Sequence, residues 1–359
     1  MINFWQKLKR PIFCLAPMAD VTDCAFREII AKHGKPDIFW TEFVSADGLA
    51  HPKAERKLLI DLKYSKKEKP IVAQIFGAKP ENIKFASALC KKLGFDGIDI
   101  NMGCPDRSVE KQGAGAALIK NPKLAREIIR AAKEGAGELP VSVKTRIGYS
   151  KNEIETWIRE LLKEDLAALT VHLRTRKEMS LAPAHWELMP EIIKLRDETS
   201  PDTLIIGNGD VKDLKEAKEK IKKYGCDGVM FGRAIFGNPW LFYGSHEKSQ
   251  LINTDKKQIS ADESIRVDQK IIRVDQRLKV MVEHAKLFEK MLMDTNPIRT
   301  NGRKRPTSNG AKNFAVMKKH FKAYVNDFNG AKELRVELME TATAKQVENI
   351  INDFLKKIR

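Results

Sequence analysis

Short apolar runs rich in β-branched and aromatic residues recur along the first two thirds of the chain. They stand at 12–17 (IFCLAP), 38–43 (IFWTEF), 71–76 (IVAQIF), 97–101 (GIDIN), 141–145 (VSVKT), 168–172 (ALTVH), 204–208 (LIIGN) and 228–232 (GVMFG). Runs of this length and composition read as strands buried on both faces. Amphipathic stretches lie between them; in PENIKFASALCKKLG, Ile83, Ala86, Leu89, Cys90 and Leu93 recur at helical spacing and Gly94 supplies a stop. Eight strand–helix alternations predict a (β/α)8 TIM barrel. An open doubly wound sheet would carry a glycine fingerprint after its first strand, where Ala16-Pro17-Met18 stand instead.

After about residue 245 the strand pattern gives way, past the polar connector SHEKSQLINTDKKQISADES, to helical periodicity. The expected organisation is a barrel over 1–244 followed by a smaller, all-helical domain over 245–359. Within the latter, IRVDQ occurs at 265–269 and again at 272–276, a seven-residue step that predicts one helix with both copies on one face.

In such a barrel the chemistry belongs at the C-terminal ends of the strands. Those ends are polar here: Pro17-Met18, Glu42, Gln74, Asn101 with Cys104 beyond it, Lys144 and Arg146, His172 and Arg174, Asn208-Gly209-Asp210, and Gly232-Arg233. The last two loops occupy the usual phosphate position of the fold. Their glycines let backbone approach an anion and Arg233 can fork onto it. A phosphate bound there places an aromatic ring system across the mouth, with Gln74 at a ring edge, Lys144 and His172 stabilising negative charge on reduction, and Pro17-Met18 as an apolar shelf. FMN satisfies these requirements. Cys104, held between Gly103 and Pro105, has three readings: a protonated general acid, a nucleophile, or a small buried hydrophobe.

The chain carries 65 Lys and Arg against 48 Asp and Glu, a formal charge of +17, which favours a polyanionic partner. Residues 245–359 hold 24 basic and 15 acidic side chains, so +9 of that excess sits in under a third of the chain. No acid stands between Thr295 and Asn326, where eight Lys or Arg do. Phe314, Met317, Phe321 and Tyr324 form an apolar seam, which predicts that Lys312, Lys319 and Lys322 face outward toward phosphates. The stretch 299–312 reads as a loop. Five cysteines without a C-x-x-C pair suggest neither a disulfide framework nor a metal site, and no run approaches the length of a membrane span. The expectation is a cytoplasmic, monomeric protein without metal.

Taken together, APMADVTDCAFR at 16–27, QIFG at 74–77, DINMGCP at 99–105 with KQGAGAAL at 111–118, VKTRIG at 143–148, VHLRTR at 171–176, GNGD at 207–210 and FGRAIFGNPW at 231–240 resemble the tRNA-dihydrouridine synthases. The tail at 317–339 is similar to that of the bacterial B-type branch. The resemblance implies that Ala16, Pro17, Met18, Gln74, Lys144, His172, Asn208, Gly209, Asp210, Gly232 and Arg233 hold FMN. It makes Cys104 the proton donor, and NADPH the reductant that restores the flavin. It puts Asn101, Arg174 and Arg176 near flavin or uracil, and the basic tail on tRNA. The chain departs from the family after HLRTR, where KEMSLAPAHWE has His185 in place of an acid, and at Leu173, commonly glycine. Two alternatives remain at this point: a flavin barrel acting on a free pyrimidine, in the manner of a dihydroorotate dehydrogenase, and a tRNA-binding protein without chemistry.

Overall fold

The structure, a computed structural model, describes residues 3–246, 264–267, 270–293, 299–300, 303–304 and 311–357. Its contacts divide the chain into two compact units, one of residues 1–19 and 36–233 and the other of residues 20–35 and 234–359.

The first unit is a parallel barrel. We number its strands β1 (Ile12–Leu15), β2 (two short pieces, Phe39–Trp40 and Val44–Ser45), β3 (Ile71–Phe76), β4 (Gly97–Met102), β5 (Val141–Arg146), β6 (Ala168–His172), β7 (Leu204–Asn208) and β8 (Gly228–Phe231). β2 through β8 pair in sequence, β8 pairs with β1, and a bridge between Cys14 and Ile38 closes the ring. Every residue of β3 and β4 is buried, as expected of strands between a filled lumen and outer helices. β4 alternates Ile98, Ile100 and Met102 with Asp99 and Asn101, so one side of the strand is apolar and the other polar. Trp5, buried and set edge-on to Trp40 at 5.9 Å between ring centres, packs with Cys14, Ile38, Val72, Leu204 and Ile206. The helix expected after β3 runs Pro80–Lys92 and stops at Gly94, whose φ of +82° suits glycine. It buries Ile83, Ala86 and Cys90, while Leu93 lies on its exposed end.

The second unit gathers helices Cys24–His33, Val274–Leu292, Met317–Tyr324, Ala331–Met339 and Ala344–Lys357. Asp23 caps the first of these, its carboxylate accepting from the Phe26 amide at 2.9 Å. The seam of Phe314, Met317, Phe321 and Tyr324 is buried.

Three expectations change here. The boundary falls at 233 rather than 244, and the helix between β1 and β2 groups with the C-terminal residues. The IRVDQ copies do not share a helix: Ser264–Val267 and Lys270–Arg273 pair as antiparallel strands, and the helix starts at Val274. The β-branched residues in IRV and KIIR favour that extended form. The tail is therefore not wholly helical; within 299–312 a second short pair, Arg299–Thr300 with Arg303–Lys304, is seen, and 301–302 and 305–310 lie outside the described residues.

Candidate active site

The polar faces of β3, β4 and β5 meet in one connected set of hydrogen bonds. Register places Gln74 beside Asp99, Asp99 beside Ser142 and Asn101 beside Lys144. Gln74 is fully buried; its Nε2 donates to Asp99 Oδ2 at 2.7 Å and its Oε1 accepts from Asn101 Nδ2 at 3.2 Å. Ser142 Oγ donates to Asp99 Oδ1 at 2.6 Å. Burial pushes the Asp99 carboxyl up to about 6, opposed by the hydrogen bonds from Ser142 and Gln74 and by the charge of Lys144. Asp99 was not among the expected site residues. The signal available for it was a carboxylate inside an apolar strand, two positions before Asn101 and so on the same face.

Asn101 holds the turn that carries Cys104. Its Oδ1 accepts from the amides of Gly103 at 3.1 Å and Cys104 at 2.9 Å, while the Cys104 carbonyl accepts from Ala116 at 2.9 Å. Gly115, at φ +61°, lies so close that a Cβ would stand 2.7 Å from that carbonyl oxygen, which is why the GAG segment accompanies the cysteine. The half-buried Cys104 side chain packs with Phe76, Val109 and Ala114. Burial raises the thiol above its ordinary range, and the nearby Asp106 charge adds to this, against a hydrogen bond from the Asp106 amide and the charges of Arg146 and Lys144. The thiol is protonated at neutral pH. A raised pKa favours the proton donor over the nucleophile, which needs a depressed one.

Lys144 donates to Asn208 Oδ1 at 3.2 Å, and burial lowers its ammonium to about 8. Asn208 Nδ2 donates to the Met230 carbonyl at 2.8 Å, tying β5, β7 and β8 together. Burial, then the charges of Lys144, Arg146, Arg174 and Arg233, holds His172 well below its usual range, so its imidazole is neutral. Arg174 Nη1 lies 3.0 Å from His172 Nε2; a guanidinium only donates, so Nε2 accepts and the ring proton sits on Nδ1.

Several expected contacts have other occupations. Arg174 is buried, with Nε on the Ala182 carbonyl at 2.6 Å and Nη2 paired to Asp210; it organises the loop rather than facing solvent. Arg176 pairs with Glu110 and reaches the Pro105 carbonyl at 3.3 Å, bracing the Cys104 turn. Asp210, at φ +48°, receives Arg174 on one oxygen and Arg233 on the other, the latter at 2.8 Å. A carboxylate so engaged positions the two arginines; it does not itself attract a phosphate. Gly207 gives room to Trp186, whose ring would be 2.5 Å from a Cβ there. By contrast Gly232 faces open space, and the Arg233 side chain is 66% exposed. Arg146, a rim residue left without a role, holds the Gly103 carbonyl at 2.8 Å and the Thr175 and Met179 carbonyls at 3.1 and 3.0 Å. Ala16 and Pro17 are buried and Met18 half-buried, with the Ala16 amide on the Phe231 carbonyl at 2.8 Å. His185, where the family has an acid, stands between Glu178 at 2.7 Å and Glu187 at 3.1 Å, and these carboxylates raise its imidazole.

In the second unit Lys319 and Lys322 are exposed, as expected, but Lys312 is not: its side chain is 9% exposed and lies 3.6 Å from Asp20. Charge attraction to Asp20 and to the buried Asp23 draws it inward. Among the described residues no helix is long and apolar enough to cross a membrane.

The dihydrouridine synthase (Dus) family model matches residues 14–359. The chain belongs to the dihydrouridine synthase family. The "Probable tRNA-dihydrouridine synthase 2" of Bacillus subtilis (strain 168) is 40% identical over 99% of this chain and 97% of its own length. The "Probable tRNA-dihydrouridine synthase" of Staphylococcus aureus (strain COL) is 41% identical over 98% and 95%. Among solved structures, morphinone reductase in complex with tetrahydroNAD is similar over 65% of this chain and 86% of that one, at 16% identity and a TM-score of 0.45.

Proposed function

We propose that the chain reduces the C5=C6 bond of uridines in tRNA to 5,6-dihydrouridine, in the cytoplasm and as a single chain, with FMN as bound cofactor and NADPH as reductant. The observation that carries this reading is a thiol kept protonated on the rim that also bears Lys144, neutral His172 and an open glycine–arginine anion site. The donor set fits a phosphorylated flavin. Gly232 leaves its backbone approachable and Arg233 stands beside it, while Lys144 keeps a positive charge at neutral pH for an anionic ring. When bound, reduced FMN supplies the hydride to C6 of the base.

The protein's own part is to bind, orient and protonate. Ala16, Pro17 and Met18 give an apolar support, and Gln74 retains one amide hydrogen after its bonds to Asp99 and Asn101. Asn208, Gly209, Gly232 and Arg233 line the phosphate edge, with Asp210 steering Arg233. Cys104 gives its proton to C5 of a base extruded from its stack, as enzymes acting on bases require. Lys319 and Lys322 supply phosphate contacts that position the RNA without reading it. The test is the mass of tRNA after incubation with enzyme and NADPH. Wild type adds one hydrogen pair per target nucleotide and Cys104→Ala adds almost none on fresh tRNA; equal activity of the two overturns the role of Cys104.

A further inference from the structure

Three polar side chains on two strands, each an amide or a carboxylate, line up between Ser142 and the Cys104 turn, and their donors and acceptors alternate. From Asp99 outward the order is acceptor, donor (Gln74 Nε2), acceptor (Gln74 Oε1), donor (Asn101 Nδ2), acceptor (Asn101 Oδ1), and finally the Gly103 and Cys104 amides. An amide side chain reads equally well in either orientation unless a neighbour forbids one of them. Here both ends of the line are fixed. The two backbone amides only donate, and an ionised carboxylate only accepts.

We propose that Asp99 is a positioning residue that sets the polarity of this line, and through Gln74 and Asn101 fixes the turn that presents Cys104. The inference rests on the reading of Cys104 given above, and its consequences can be seen apart from that reading. Both Gln74 and Asp99 are fully buried and Asn101 nearly so, so water cannot substitute for a broken link. The charged and titratable groups around Asp99 are Lys144 on β5 and the Cys14 thiol on β1, and neither lies in the line of bonds.

A polarity argument is tested by reversing the polarity. Asn101→Asp keeps an oxygen for the Gly103 and Cys104 amides but removes the donor to Gln74, leaving Gln74 between two carboxylates. Adding Asp99→Asn lets the whole line run backward. The amide introduced at position 99 then donates to Gln74 Oε1, and Gln74 Nε2 donates to the carboxylate introduced at position 101. Ser142 still has an oxygen at position 99 to donate to, as it has now. The control is Asp99→Leu in the Asn101→Asp background, which removes the same charge and restores no bond.

The flavin-loaded variants are to be compared by kcat and KM for tRNA reduction and, without tRNA, by the rate at which iodoacetamide alkylates Cys104. Asn101→Asp is expected to lower kcat on the order of 10²-fold with little change in KM, and to speed alkylation as the turn loosens. Asp99→Asn with Asn101→Asp restores the alkylation rate to within a few-fold of wild type and recovers kcat only in part, since the turned Gln74 amide no longer offers the cofactor the same hydrogen; Asp99→Leu with Asn101→Asp restores neither. Rescue by both changes at position 99 alike would make charge relief the cause, and rescue by neither would mean the line has no set direction; either result overturns the proposal. If Cys104 were not the proton donor, alkylation would still follow the pattern while kcat would not.

Discussion

Both units bury polar side chains, and the barrel mouth and the ring cluster of the other unit treat them in opposite ways. In the barrel, Gln74, Asp99, Asn101, Arg146 and Arg174 are buried and each has its polar atoms engaged by named partners. In the other unit His284, His320 and Tyr324 are buried just as fully, yet neither histidine's ring nitrogens nor the tyrosine hydroxyl has a hydrogen-bond partner among the described residues. They meet as rings. His284 stacks on Phe26 at 4.9 Å, His320 lies 4.8 Å from Phe26, and the two imidazoles cross edge-on at 4.6 Å. A satisfied network fixes directions, which a reactive thiol and an oriented ring need; a cluster of rings fixes volume and contact area, which a helical core needs.

Four measurements sharpen this contrast. The largest effect should come from Cys104→Ala, which removes the proton donor and should lower kcat for tRNA reduction by roughly 10²- to 10⁴-fold with the fold and flavin intact. A loss through unfolding, seen by calorimetry, would count against it. In the ring cluster the equivalent damage is to stability: Phe321→Ala should cost about 3–5 kcal/mol, read as denaturant midpoint, because the ring leaves a cavity.

Acid should separate the two units next. Burial, then the neighbouring His320 charge, holds His284 well below its usual range, and burial with Lys319 takes His320 to about 3. The unfolded chain therefore binds protons that the folded one refuses. Stability present above pH 6.5 is lost as pH falls, by about 2 kcal/mol per histidine at pH 5. Asp23, whose carboxyl burial raises, offsets part of this. Unfolding midpoints measured from pH 7 to 5 should fall, and His284→Phe with His320→Phe should flatten the curve. The smallest effect is at the surface: Lys319→Gln with Lys322→Gln should weaken tRNA binding several-fold and reduce the salt slope by about two, leaving flavin content unchanged.

Much of the barrel was legible because its signal is local. Each strand run is apolar and closes on polar residues at its C-terminal end, where the mouth of such a barrel lies, so Gln74, Lys144, His172 and Asn208 could be placed from position in the run alone. The seam at Phe314 to Tyr324 was legible because helical spacing is a local signal too. What escaped depends on partners far away in the chain. Lys312 has the spacing of an outward residue, and acids nearly three hundred positions earlier, Asp20 and the buried Asp23, draw it in. Arg174 reads like a substrate contact until Ala182 and Asp210 take up its guanidinium. Asp99 stands out in the sequence only as a carboxylate within an apolar strand, and its use appears once β3 and β5 flank it.

The helix Cys24–His33 carries a consequence for how the chain is made. It leaves the ribosome with β1, but residues that cover Phe26, His284 and His320 among them, come about 260 and 290 positions later. At translation rates of about 5–20 residues per second, that apolar face waits on the order of ten seconds or more for its cover. Truncation after the barrel strands would leave it bare permanently. A fragment ending near residue 244 should therefore be sticky and chaperone-bound, and its loss of activity would say little about what the basic tail does for RNA.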